Sequence, residues 1–200
     1  MKNKKAQVWV ETVIYTLITL TLIGVVLAIS IPVIEKQKDK AVIQNSINSL
    51  NEFDLTILSV KRAGILNVRE INLNIGKGKF KINGNNDSLI FEIPGSSYAY
   101  SEPGITVNII GTNMKSETKK KGGKYDVVLT LAYNNSANIT INDKDELKEF
   151  SPAPVPYIFF IENMGRIPFG DCSAGSCSSG STCINAQCVP EVPTINIYEG

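Results

Sequence analysis

The chain contains no histidine and has almost no net charge, with 20 basic against 19 acidic side chains among 200 residues. The missing imidazole excludes Ser-His-Asp triads, Cys-His dyads and every histidine-containing zinc site. The missing charge excess argues against a basic face able to displace counterions from phosphates. We therefore expect no catalytic residues and no enzymatic activity, no cofactor, no metal ion and no nucleic-acid partner.

Charge is also missing from a long segment near the N-terminus. The 23 residues 12–34 are all uncharged and would span about 34 Å as a helix. That length is enough to cross a hydrocarbon core of about 30 Å. Lys2, Lys4 and Lys5 precede the segment, and positive residues on a short N-terminal side keep that end in the cytoplasm. We predict a single-pass span in the cytoplasmic membrane at about residues 12–34, in contact with lipid, with the N-terminus inside and the rest of the chain outside.

Three kinds of membrane segment compete for this run. A cleaved secretory signal has an apolar region of about 7–15 residues before small residues at the cut. The run is longer, although Ala28 and Ser30 are small. A permanent signal anchor and the helix of a filament subunit both accommodate the full length. Glu11 favours the filament subunit, because an acid beside an apolar segment costs free energy and a simple anchor does not need one.

The residues around Glu11 carry a family resemblance. KNKKA followed by QVWVE and the uncharged run resembles the class III signal peptide of archaeal type IV pilins and related filament subunits, over about residues 1–60. In that family a prepilin-type signal peptidase removes a short basic leader before a Gln, and a Glu is the fifth mature residue. The resemblance implies a leader of residues 1–6, cleavage between Ala6 and Gln7, and Glu11 as the assembly residue.

The implied assembly chemistry is the pairing of two charges. A new α-amine at Gln7 has a pKa near 8 and is cationic at neutral pH. Glu11 of one copy would neutralise the Gln7 amine of a neighbouring copy or of a related pilin within apolar surroundings. Trp9 departs from the family, which often has Ser at this place. The resemblance thus implies a major or minor structural subunit of a pilus-like filament at the cell surface. The alternative is a signal-anchored surface protein that is never assembled and whose β head binds a ligand or partner.

The remaining sequence predicts an α+β fold. We expect one helix over residues 7–63, bent or interrupted at Pro32 because proline lacks a backbone N–H. An apolar stripe at helical spacing predicts packing of the second half of the helix on the head: Ile43, Ile47, Leu50, Phe53 and Ile57.

From residue 64 the apolar pattern has a period of two, which predicts strands. The candidates are residues 71–75, 80–82, 89–93, 105–109, 125–133, 139–141 and 157–161, with 194–198 as a possible return to the sheet. The sequence therefore predicts that residues 64–200 form an extracytoplasmic, antiparallel β-sandwich-like head of about seven strands.

Several surface features accompany this head. The tract at residues 115–124 is either a basic patch for anionic partners or, as we favour, a solvated hairpin loop. The acidic run at residues 143–149 is typical of a solvated face, with weak calcium binding as the alternative. Three N-x-S/T sequences are possible N-glycosylation sites in the exported head: Asn86, Asn134 and Asn138.

All four cysteines lie near the C-terminus: Cys172, Cys177, Cys183 and Cys188. Spacings of four, five and four residues in a Gly/Ser-rich segment fit two disulfides better than an all-cysteine zinc site, which usually separates its pairs further. Cross-links are also needed, because the segment has too few apolar residues to form a core. We predict a small disulfide-rich loop over residues 171–189, with all three pairings open.

Overall fold

A computed structural model describes residues 4–134, 136–166, 169–171, 181–184, 187–190 and 192–200. The chain begins with one helix, α1 (Lys4–Ala63), and continues as strands with one short 3-10 turn at Gly84–Asn86. The strands are β1 (Val68–Leu73), β2 (Lys79–Asn83), β3 (Ser88–Ser96), β4 (Thr106–Asn108), β5 (Met114–Lys121), β6 (Lys124–Ala132), β7 (Asn138–Ile141), β8 (Leu147–Phe150), β9 (Tyr157–Gly165), β10 (Phe169–Asp171), β11 (Ser181–Ile184), β12 (Gln187–Pro190) and β13 (Thr194–Glu199). The α+β organisation predicted from the sequence is confirmed.

Helix α1 is continuous for 60 residues, or about 90 Å. It passes through Pro32 without interruption, so the helix does not stop and restart there. It ends where Lys61 and Arg62 favour the negative end of the helix dipole. Gly64 then adopts a φ of +98°, a conformation that glycine takes without steric cost at a helix C-terminus.

The head contains two main sheets. One has six antiparallel strands in the order β4-β5-β6-β3-β2-β8. The other has the order β1-β9-β13-β7, and its pairs are antiparallel except for the parallel β13–β7 pair. A separate three-stranded sheet, β10-β12-β11, comes from the cysteine-containing segment. The expected antiparallel head is present, and its return strand is β13.

The second half of α1 supplies one side of the hydrophobic core. Its predicted apolar stripe is buried, as is Val60, and α1 contacts strands of both main sheets. Phe53 of the helix lies 5.1 Å from Phe80 of β2 and 5.7 Å from Phe159 of β9, measured between ring centroids. The rings of Phe80 and Phe159 are 5.9 Å apart. This aromatic cluster joins the helix to both sheets.

Two buried carboxylates fix how α1 sits on the head. Asp39 accepts hydrogen bonds from Lys77 Nζ at 2.5 Å and from the Ser97 backbone N–H at 2.6 Å. Four turns later, Asp54 accepts hydrogen bonds from the Tyr133 hydroxyl at 3.0 Å and from Asn113 Nδ2 at 2.9 Å. Burial, followed by the nearby Asp54 charge, raises the pKa of Tyr133 well above its usual range. Tyr133 therefore stays protonated and donates to Asp54.

The prediction of a loop at residues 115–124 was wrong for most of that tract. Residues 115–121 belong to β5, and the turn consists of Gly122 and Gly123, with φ values of +54° and +82°. Ser116 and Thr118 point inward and are fully buried, while the alternate lysines point outward. Because short polar side chains fill the inward face of β5, its sequence lacks the apolar alternation that predicts a strand. Strand β8 was also missed, because it lies in the acidic run. It pairs with β2, and Lys79 and Lys81 of β2 form ion pairs with Glu149 of β8.

Replacing Phe53 by Ala should lower the free energy of unfolding by about 3–5 kcal/mol, because it removes a ring shared by both sheets. The matched control is Leu55→Ala, since Leu55 lies two residues away and is 59% exposed. Urea unfolding of the full chain in detergent, followed by circular dichroism, measures both. Equal effects of the two substitutions would contradict the role assigned to the cluster.

Asp39 should make stability pH-dependent. Burial disfavours its ionised form, but the bonds from Lys77 and Ser97 outweigh burial and hold the pKa of Asp39 below its usual value. A depressed folded-state pKa stabilises the fold above about pH 4 and loses that effect as pH falls through the folded-state value. Asp39→Asn should therefore cost about 1.5–3 kcal/mol near neutral pH. The difference from the wild type should shrink below about pH 4. A difference that does not change with pH would show that the ionised carboxylate is unimportant.

Candidate functional site

The first half of α1, up to residue 34, projects from the head as an exposed apolar rod. Residues 9–38 are exposed apart from the half-buried Ser30, and Asp39 is the first buried residue after them. The helix is long and apolar enough to cross a membrane: its most apolar 18 residues have a mean hydropathy of 2.7, and none of them is buried. Trp9, Leu20 and Ile29 are each exposed by 65% or more. A contiguous apolar surface of this size is not expected to remain in water and marks a membrane or protein contact.

Three threonine side chains within the rod are hydrogen-bonded to the rod itself. The hydroxyl of Thr16 donates to the Val13 carbonyl at 2.9 Å. The hydroxyls of Thr19 and Thr21 donate at 2.8 Å to carbonyls one turn earlier. Such bonds leave these hydroxyls with no need of water. The rod therefore suits a hydrocarbon or protein-lined environment in spite of its threonines.

The residues predicted to act in processing and assembly lie at the free end of this rod. Ala6 and Gln7 are within the helix, while residues 1–3 lie outside the described part of the chain. Glu11 follows Gln7 by four residues, which is about 6 Å along the helix axis. Glu11 is exposed. Its side chain is thus available to another molecule.

The head has two ends that are defined by its contacts with α1. At the proximal end, next to the rod, Lys124 donates to Glu35 at 3.3 Å and Lys77 donates to Asp39. At the distal end, Lys61 donates to the Ser136 carbonyl at 2.5 Å. Asn163 donates there to the Val60 carbonyl at 3.3 Å. The rod and the distal end therefore face opposite directions along the helix.

The cysteine-containing segment leaves and rejoins the head at the distal end. Gly165 and Thr194, on either side of the segment, are register partners of the β9–β13 pair. Cys183 and Cys188 lie directly opposite each other on β11 and β12, and neither is a free thiol. Cys172 and Cys177 lie outside the described residues. The strands of this segment were not predicted, because Gly, Ser and Cys carry no apolar alternation.

The three N-x-S/T sequences differ in accessibility. Asn86 and Asn134 are exposed, in the 3-10 turn and in a turn at the distal end. Asn138 is half-buried at the start of β7, and its backbone N–H donates to the Pro193 carbonyl at 3.0 Å. The hydroxyl of Thr140, in the same sequence, is buried against Asn196 at 3.1 Å. Accessibility therefore favours Asn86 and Asn134 over Asn138.

The acidic run does not form a recognisable cation site. Asp143 accepts a hydrogen bond from Asn196 Nδ2 at 2.7 Å, and Glu149 accepts from Lys79 and Lys81. Among the described residues, no group of three or more His, Cys, Asp or Glu side chains is placed to hold a metal ion. The part of the described chain that most needs an external partner is thus the rod.

Two arginines in the centre of the rod should prevent stable membrane insertion. Each arginine at a bilayer centre costs about 2.5–3.5 kcal/mol on insertion scales, so the double variant Leu20→Arg/Ile23→Arg loses roughly twice that. The control is Gln37→Arg, beyond the uncharged run and also exposed. Extraction of membranes with alkaline carbonate measures the inserted fraction. Retention of the double variant at the control level would contradict a membrane role for the rod.

No protein-family model, no curated protein and no solved structure matches this chain. The observation with the most consequence is the helix itself, which is packed on the head along one face of its second half and is exposed along its first half.

Proposed function

We propose that the chain is a structural subunit, major or minor, of an archaeal type IV pilus-like surface filament. Before assembly it is held by the rod as a single-pass protein of the cytoplasmic membrane, with the N-terminus inside and the head outside. A prepilin-type signal peptidase removes residues 1–6. The processed subunit then leaves the bilayer and packs its rod against the rods of other copies or related pilins.

The continuity of α1 carries this proposal. One unbroken helix supplies the core stripe of the head and also the exposed apolar rod, so the rod is held rigidly by a folded domain. A rigid apolar rod can exchange one apolar environment for another without refolding the head. A bilayer and a bundle of like rods are two such environments.

Glu11 gives the exchange a direction. A carboxylate at the free end of the rod is costly inside apolar surroundings unless a positive charge accompanies it. Processing creates such a charge on the Gln7 α-amine, one helical turn away. A neighbouring rod that contributes the amine neutralises Glu11, so the charged pair favours association of processed subunits over isolated ones.

The distal end of the head is the surface that such a filament would present. We propose that the four cysteines form two disulfides there, which hold a segment poor in apolar side chains outside the cytoplasm. Asn86 and Asn134 are the favoured glycosylation sites because they are exposed. Glycans at those positions would not disturb the core.

A signal-anchored surface protein with a binding head is the second candidate function. The exposed rod supports membrane attachment equally in both cases. The two functions differ at the free end of the rod, because an anchor keeps its lysine-rich leader and does not use Glu11. Intact-mass and N-terminal peptide analysis of the protein from its native membranes separates them. A chain that begins at Gln7 supports the filament subunit, an intact leader supports the anchor, and a start beyond Ser30 indicates a secreted domain.

Glu11→Gln should leave processing intact and lower the yield of sheared filaments by more than about tenfold, because loss of one partner leaves the other charge unpaired in apolar surroundings. The matched control is Glu35→Gln, which removes an acid from the same helix just beyond the rod. Electron microscopy and immunoblotting of the sheared fraction measure assembly. Normal filaments from the Glu11 variant would show that the pairing is dispensable.

A further inference from the structure

We propose that a collar of seven lysines at the proximal end of the head binds the anionic headgroups of the bilayer that holds the rod. The collar consists of Lys36, Lys38 and Lys40 on α1 and Lys119, Lys120, Lys121 and Lys124 on the β5–β6 hairpin. This inference rests on the membrane-held state proposed above. It adds a contact between the head and the lipid surface to the insertion of the rod.

The hairpin runs beside α1 toward the membrane. At the start of β5, Asn113 donates to Asp54 at 2.9 Å, and just after the turn Lys124 donates to Glu35 at 3.3 Å. Eight strand residues cover about 25 Å, close to the roughly 28 Å that separates Asp54 from Glu35 along the helix. The hairpin tip is therefore level with Glu35, the first residue after the uncharged run.

The tip is held in this position by three further contacts. Lys124 also donates to the Ser97 hydroxyl at 2.5 Å. The carboxylate of Asp126 accepts from the Gly95 backbone N–H at 2.9 Å. Ser97 in turn donates its backbone N–H to Asp39 of the helix. The lysines at the tip are therefore presented at a fixed height relative to the rod.

The collar carries an excess of positive charge. All seven lysines are exposed. The acidic residues near them on the same elements are Glu35, Glu117 and Asp126, with Glu102 on the loop beside β5, while the Asp39 charge is paired with Lys77. Seven lysines against these four acids leave three uncompensated positive charges. Within the described part of the chain, Lys120 and Lys121 form no salt bridge.

The position of this charge identifies its partner. Clusters of four to eight basic residues on the cytoplasmic side of a membrane span are typical binding sites for anionic lipid headgroups, and the same attraction acts on the outer side of a bilayer whose outer leaflet is anionic. The attraction extends only about 10 Å at 0.1 M salt, so it acts on charges level with Glu35 and not on the distal end. Lysines on the helix and on the hairpin flank the point where the chain leaves the bilayer. Their contact with headgroups would fix the tilt of the head.

The test uses the full chain in vesicles of phosphatidylcholine alone or with about one third phosphatidylglycerol, at equal low salt. A short pulse of an amine-acylating reagent, followed by mass spectrometry, measures the reactivity of each lysine. We expect Lys119, Lys120 and Lys121 to react about threefold more slowly in the anionic vesicles, in line with a surface potential near −30 mV. Lys115 is the internal control, because it is exposed on the same strand about 20 Å from the tip, and its reactivity should not change.

A variant pair adds a second measurement. After extraction of mixed vesicles into mild detergent, K119Q/K120Q/K121Q should keep about one third or less of the phosphatidylglycerol that stays bound to the wild type. K115Q should retain the wild-type amount. Equal retention by both variants would overturn the assignment of the collar.

The remaining outcomes separate this inference from the proposed function. Reactivity that is as high in both vesicles as in detergent micelles, for a chain that resists carbonate extraction, would overturn the headgroup contact and leave the membrane-held state standing. Equal protection in both vesicles would show simple shielding by the bilayer and overturn the electrostatic assignment. Removal of the chain by carbonate would overturn the membrane-held state and this inference together.

Discussion

The packing of one helix half into the head is the interaction on which the rest of the structure depends. Phe53 contacts a ring from each main sheet, so the two sheets share a core that the helix completes. The head therefore cannot keep this core without α1, and the exposed rod cannot be separated from the head except by bending or breaking the helix. Any partner that binds the rod thereby positions the whole head.

Two carboxylates convert this apolar packing into a defined arrangement. An apolar stripe tolerates small rotations and shifts of a helix, because hydrophobic attraction is not directional. The hydrogen bonds of Asp39 and Asp54 are directional, and they lie 15 residues apart on the same helix. Together they fix the rotation and the height of α1 on the head. The lysine collar at the proximal end and the described residues of the distal end thus have definite positions relative to the rod.

Much of the architecture could be predicted from residue patterns, but the polar contacts could not. The length of the uncharged run predicts a membrane span. The helical spacing of the stripe from Ile43 to Ile57 predicts burial of one helix face. Strand β5 was missed because Ser116 and Thr118 fill its inward face, and the roles of Asp39 and Asp54 depend on partners 38 or more residues away. Gln7 and Glu11 were proposed from a resemblance, and their chemistry depends on a second molecule.

The arrangement of charge along α1 is consistent with a helix that must change its surroundings. Within the uncharged run, the threonine hydroxyls that donate to the helix's own carbonyls need no outside partner, so this surface is equally suited to lipid and to other rods. The charges that do need partners lie at its two borders. In the proposed function, Glu11 at the free end would pair with another processed subunit, while the lysine collar at the other border would pair with lipid headgroups. A subunit that leaves the bilayer would lose the second interaction as it gains the first, so the balance between them would decide when assembly begins.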